Sequence, residues 1–165
     1  MLLARFWLSL SGVGYLKPGP GTWGSIAATL LWWFSLSSLG MVSQLLFFLL
    51  FTSVSVWICS NFLRDSGLGD ESWIVVDEFA AMLFILAFLP RDIFYVSLAL
   101  LLFRLFDIWK PWLVGLADRK IHGGVGVMLD DLIAACFVLA IILPLGLVLP
   151  GDLILAEYGL SQQAG

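Results

Sequence analysis

From position 18 to position 63 the chain carries no Asp, Glu, Lys, Arg or His, a run long enough for two membrane crossings at roughly 20 residues each. Further apolar stretches follow, separated by short polar punctuation. Read for apolar length, the pattern predicts about five membrane-embedded helices, over 24–40, 43–63, 73–89, 93–109 and 127–149. Three of these are short. At ~1.5 Å per residue a helix of about 17 residues reaches only about 26 Å, so these cross with little tilt or lean on flanking aromatics. Trp23, Trp73, Trp109 and Trp112 stand at predicted span ends, where an aromatic belt would have them. Pro90 closes the third span, and Asp92 is a predicted N-cap for the fourth. Residues 1–16 are expected to form an interfacial helix. Lys17, Pro18 and Pro20 stand where a signal peptide would need a small-residue cleavage site.

Composition places this pattern in lipid. The chain is 61% hydrophobic and 12% charged, with a mean hydropathy of +1.04, values that describe an integral membrane protein. The expected fold is all-α, a polytopic membrane helical bundle forming one domain over 1–165, with 150–165 as a C-terminal tail. Alternating the spans puts Arg5, Lys17, Arg64, Lys110, Arg119 and Lys120 on one face and Arg91 alone on the other. By the positive-inside rule the first face is cytoplasmic. A net charge of −4 without a basic cluster excludes nucleic acid as a partner. Cys59 and Cys136 lie in apolar stretches far from any second thiol, which indicates neither a disulfide nor a zinc site.

Five carboxylates break the apolar pattern: Asp77, Glu78, Asp107, Asp130 and Asp131. An acid at the centre of a membrane helix costs about 2.5–3.5 kcal/mol on insertion scales, so such residues face an internal site. All five fall about one turn from the cytoplasmic face, on three different helices. They outnumber the nearby bases, and surplus negative charge invites a cation. Oxygen donors without clustered Cys or His favour a hard ion, Mg²⁺ or else Mn²⁺. Arg104, Asp107 and Lys110 are spaced three apart, so they address one site from one helix face. With Arg119 and His122 they supply anion-binding groups, and metal beside such cations suggests phosphoryl chemistry. Two glycine-rich segments, 18–25 and 122–126, precede predicted helix starts, where free N–H groups favour an anion. Two other classes share parts of this signature. Intramembrane acids also mark proton relays and carriers, although these acids cluster at one face and no inverted repeat is visible. The pairs Ala27–Ala28, Ala80–Ala81 and Ala134–Ala135 would suit a purely structural subunit with close helix packing.

Four blocks together resemble a known family: Gly-Thr-Trp-Gly-Ser at 21–25, Val-Asp-Glu-Phe at 76–79, Phe-Arg-Leu-Phe-Asp-Ile-Trp-Lys-Pro-Trp at 103–112, and Asp-Arg-Lys-Ile-His-Gly-Gly-Val-Gly-Val-Met-Leu-Asp-Asp at 118–131. The pattern resembles the phosphatidylglycerophosphatase A family over about residues 12–140. The resemblance implies a Mg²⁺-dependent enzyme of the bacterial inner membrane that releases phosphate from phosphatidylglycerophosphate at the cytoplasmic face. It implies Asp77, Glu78, Asp130 and Asp131 as metal ligands and Asp107, His122 and Asp131 as catalytic groups. Arg104, Lys110, Arg119, Thr22, Ser25, Gly123 and Gly124 would hold the substrate phosphate. The partner implied is the phospholipid substrate; protein partners are not indicated.

Overall fold

The computed structural model describes residues 1–69, 71–109 and 123–148, with side chains to position 145. Lys110, Arg119 and His122 lie outside the described residues, as do Trp112 and the tail 150–165. The described residues are helical and contain no strand: α1 Leu2–Leu8, a 3₁₀ turn Val13–Tyr15, α2 Pro20–Leu31, α3 Met41–Ser66, α4 Val76–Leu86, α5 Ile93–Trp109 and α6 Gly124–Val148.

The boundaries follow local chemistry. Helix α2 starts at Pro20, whose fixed φ and missing N–H suit a first helical position, after Gly19 at φ +70°. The segment 18–25, expected to lead into the first span, thus supplies the first turns of α2 itself. A π-helical stretch, Trp32–Leu36, continues it. Helix α3 ends on Gly67 at φ +66°, a left-handed stop that glycine takes without steric cost. Asp92 caps α5, its Oδ1 accepting from the N–H groups of Phe94 at 2.9 Å and Tyr95 at 3.3 Å. At the N-terminus the helix is shorter than the expected 1–16. The chain turns back after α1 through Leu10, Ser11 and Gly12, all at positive φ. This reversal lets the Leu8 carbonyl accept a hydrogen bond from the Val75 N–H at 3.0 Å.

Helix α4 is the centre of the bundle, packed against α2, α3, α5 and α6. Its residues are buried on every side, from Val76 and Asp77 to Ile85 and Leu86, as expected of a helix that is apolar all round. Small residues let the backbones approach: Ala28, Ala81, Ala134 and Ala135 are fully buried where α2, α4 and α6 meet, and Ala80 is fully buried in a second cluster with residues of α3 and α6. Among the described residues two helices, Met41–Ser66 and Gly124–Leu145, are long and apolar enough to cross a membrane alone. Helix α5, with 17 residues, and α4, with 11, are shorter than the ~20 residues a full crossing takes. The outer face of α3 presents Val42, Leu46, Leu49, Leu50 and Trp57, an apolar surface that suits contact with lipid.

Candidate active site

Three helix ends meet at one side of the bundle. Asp77 and Glu78 occupy the first turn of α4, Asp107 the last turn of α5, and Asp130 and Asp131 the second turn of α6. Because α4 and α6 run away from this side and α5 runs toward it, all five acids reach one level. They line a single cavity of about 240 Å³ together with Arg104, Gly19, Pro20, Gly21, Glu71, Ser72 and Ile74. The positive end of the α4 dipole lies beside Asp77 and Glu78 and lowers the cost of holding charge there.

Burial in this cavity is deep. Asp131 is 3% exposed, Asp130 6% and Asp77 8%. Arg104 is the one basic side chain among the described residues lining it. Its Nη1 stands 2.7 Å from Asp107 Oδ2 and 3.8 Å from Glu78 Oε1. Within α6, the Asp131 N–H donates to Asp130 Oδ1 at 3.1 Å, which ties the two adjacent acids together.

The donor set fits a hard cation. Asp77, Glu78 and Asp131 each offer a carboxylate oxygen, and these oxygens lie within 4.8 Å of one another. Glu78 Oε2 and Asp131 Oδ2 are buried without a hydrogen-bond partner, a condition that costs about 1–3 kcal/mol per group, and more when charged, unless a ligand satisfies it. All donors are oxygens, as an ion of the Mg²⁺ or Ca²⁺ type prefers. Arg104 adds the complementary half. Its Nε is also buried without a hydrogen-bond partner, which leaves donor capacity for an anion at the same cavity.

The expected phosphate contacts Thr22, Ser25, Gly123 and Gly124 are arranged differently and do not line the cavity. The Ser25 hydroxyl donates back to the Gly21 carbonyl at 3.0 Å within α2. Gly124 packs against α3, where a side chain would meet the Ser60 backbone N at 2.5 Å. Gly19 and Gly21 reach the cavity from the segment read as an anion loop. Glu71 and Ser72 also line it, without a motif of their own. Their only sequence signal is a place in the loop directly before the Asp-Glu pair.

Larger hollows lie elsewhere. A groove of about 690 Å³ on the outside of α5 is formed by Leu101, Leu105, Ile108 and Trp109 and shares Arg104 with the acidic cavity. Another of about 450 Å³, between α1 and α3, is lined mainly by apolar side chains such as Phe6, Trp7 and Trp57. Neither has the acidic chemistry of the smaller cavity. At about 240 Å³ that cavity falls below the ~300–1,000 Å³ of pockets that engulf a drug-sized molecule, so it suits a polar headgroup whose apolar remainder stays outside.

Known proteins give the chain its family. The family profile of phosphatidylglycerophosphatase A matches residues 6–145. A phosphatidylglycerophosphatase A of Haemophilus influenzae is 37% identical over 132 residues, covering 79% of this chain and 81% of the relative. One of Escherichia coli is 37% identical over 124 residues, covering 74% and 72%. A Bacteroides thetaiotaomicron protein provisionally named phosphatidylinositol-3-phosphatase is 35% identical over 136 residues, covering 76% and 82%. No solved structure matches the chain. The profile spans the helices and loops that build the acidic cavity, and on that match the chain belongs to the phosphatidylglycerophosphatase A family.

Proposed function

We propose that the chain is a Mg²⁺-dependent lipid phosphatase that hydrolyses phosphatidylglycerophosphate to phosphatidylglycerol and phosphate, a step of phospholipid biosynthesis. The observation that carries this reading is one buried cavity holding both a cluster of carboxylate oxygens and an arginine with an unused donor. We place the enzyme in the bacterial inner membrane as a single multi-pass domain, with about five embedded helices and the cavity open to the cytoplasm. The excess of Lys and Arg that alternation of the predicted spans puts on one face supports that orientation.

Asp77, Glu78 and Asp131, with Asp130 beside them, would hold the ion. When bound, it would offset the phosphoryl charge and polarise a phosphoryl oxygen. Arg104 binds the phosphate through its free donor and faces the charge that grows on the equatorial oxygens. Asp107, at 2.7 Å from Arg104, aims the guanidinium, and this pairing favours a positioning role over that of nucleophile. Lys110 and Arg119 are assigned as further phosphate cations and His122 as the acid that protonates the leaving glycerol oxygen, on the strength of their motif. Hydrolysis breaks the P–O bond to glycerol; water supplies hydroxyl to phosphorus and a proton to the departing alcohol. The acyl chains remain in lipid, and the apolar groove beside Arg104 gives them a path past the cavity mouth.

The test is phosphate release from phosphatidylglycerophosphate by the purified chain in detergent. Release should require Mg²⁺, stop with EDTA, resume when Mg²⁺ is restored, and fall about 10²–10³-fold in Asp131→Asn, the scale of losing one preorganised charge. Phosphatidylinositol 3-phosphate belongs in the same assay, because a relative's name points to it. Faster release from that lipid would move the substrate to another phospholipid monophosphate. No release from either lipid, with folded protein and Mg²⁺ present, would overturn the phosphatase reading.

A further inference from the structure

Three glycines of the N-terminal quarter press against one short segment, 73–78, and what each touches separates their roles. A side-chain carbon on Gly14 would collide with the Trp73 carbonyl oxygen. One on Gly24 would stand 3.0 Å from the Val75 carbonyl oxygen and 3.0 Å from Val75 Cβ. These neighbours are fixed: Val75 is fully buried and its N–H is held by Leu8. Substitution at either position therefore acts on the fold.

Gly21 differs. A carbon added there would collide with Glu78 Oε1, lie 2.8 Å from Glu78 Cδ and 2.9 Å from Arg104 Nη1. All of these are ends of flexible side chains. Gly21 lies within helix α2, outside the positive-φ positions, so alanine fits its backbone and improves its helix propensity. A methyl group at 21 thus leaves the helix intact and displaces the Glu78 carboxylate and the Arg104 guanidinium instead.

We infer that Gly21 is a positioning residue of the site: its missing side chain is the space in which Glu78 and Arg104 meet at the wall of the cavity. The inference rests on the metal-dependent reading above. Glu78 contributes one of the three oxygens that converge within 4.8 Å, and a carboxylate pushed from that position no longer completes the set. Outer residues that orient ligands commonly change metal affinity by about 10–100-fold.

The experiment compares wild type, Gly21→Ala, Gly24→Ala, Glu78→Asp and the double variant Gly21→Ala/Glu78→Asp, each full-length in detergent, by Mg²⁺ titration calorimetry and thermal unfolding without metal. Gly21→Ala should keep the wild-type unfolding temperature and bind Mg²⁺ about 10–100-fold more weakly. Gly24→Ala should unfold at a lower temperature. Glu78→Asp, one methylene shorter, makes room for the added methyl, so the double variant should bind Mg²⁺ more tightly than Gly21→Ala. A merely structural glycine would give no such size-compensated recovery. If wild type binds Mg²⁺ and Gly21→Ala binds it equally well, the inference alone falls. It also falls if Gly21→Ala unfolds early and the shorter acid restores nothing. If wild type binds no Mg²⁺, the metal reading falls and this inference with it.

Discussion

Helices α3 and α4 are both strongly apolar, yet they answer to different surroundings. Helix α3 buries Gln44, Phe48, Ser55, Cys59 and Phe62, positions that recur on one side of a helix, and exposes a long apolar face. Helix α4 is less than half as long and is buried all round. One suits a place between protein and lipid, the other a place among helices. The acids of the first turn belong to the second kind. A carboxylate on the lipid side of α3 would have no partner to offset its cost. At the start of α4 it finds a helix dipole, an arginine and other acids that can share a cation.

The comparison predicts a graded set of stabilities, measured by thermal or denaturant unfolding in one detergent. The largest effect should come from the core of α4. Met82 is fully buried, and Met82→Ala should cost about 2–5 kcal/mol through the cavity it leaves. A smaller effect is expected where α2 is tied to the buried side of α3. Trp32 Nε1 donates to Gln44 Oε1 at 2.7 Å, and Trp32→Phe should cost about 1–3 kcal/mol by leaving that acceptor buried and unpaired. The smallest belongs to the outer face. Leu50 is 67% exposed, and Leu50→Ala should stay within about 0.5 kcal/mol. A loss at Leu50 equal to that at Met82 would break the contrast and mark the outer face of α3 as a protein interface.

Much of this arrangement was legible in the chain before any fold was known. The charge-free run, the single N-cap at Asp92 and the small-residue pairs are local signals, and the helices that carry them follow. The meeting of the acids was also legible, because alternating helices put Asp77, Asp107 and Asp131 at one depth whatever their exact packing. Helix lengths were less so. Apolar length marks where a segment is comfortable, not where its hydrogen bonds stop, so the expected 73–89 became the shorter Val76–Leu86. The contacts of the glycines were not legible for a related reason. A Gly-rich stretch before apolar residues reads as an anion loop, whereas Gly21 and Gly124 serve close approach to Glu78 and to Ser60.

The sequence by itself determined that the chain is an apolar helical protein with acids and an arginine at one level, since burial cost and helical period depend only on residue type and spacing. Which oxygens converge, that Arg104 reaches Glu78 of another helix besides its own-helix neighbour Asp107, and that Glu71 and Ser72 join the wall were decided by the tertiary structure alone. Those relations depend on distances of a few ångströms between segments far apart in the chain, and these are fixed by how α2, α5 and α6 close around α4 rather than by any local preference.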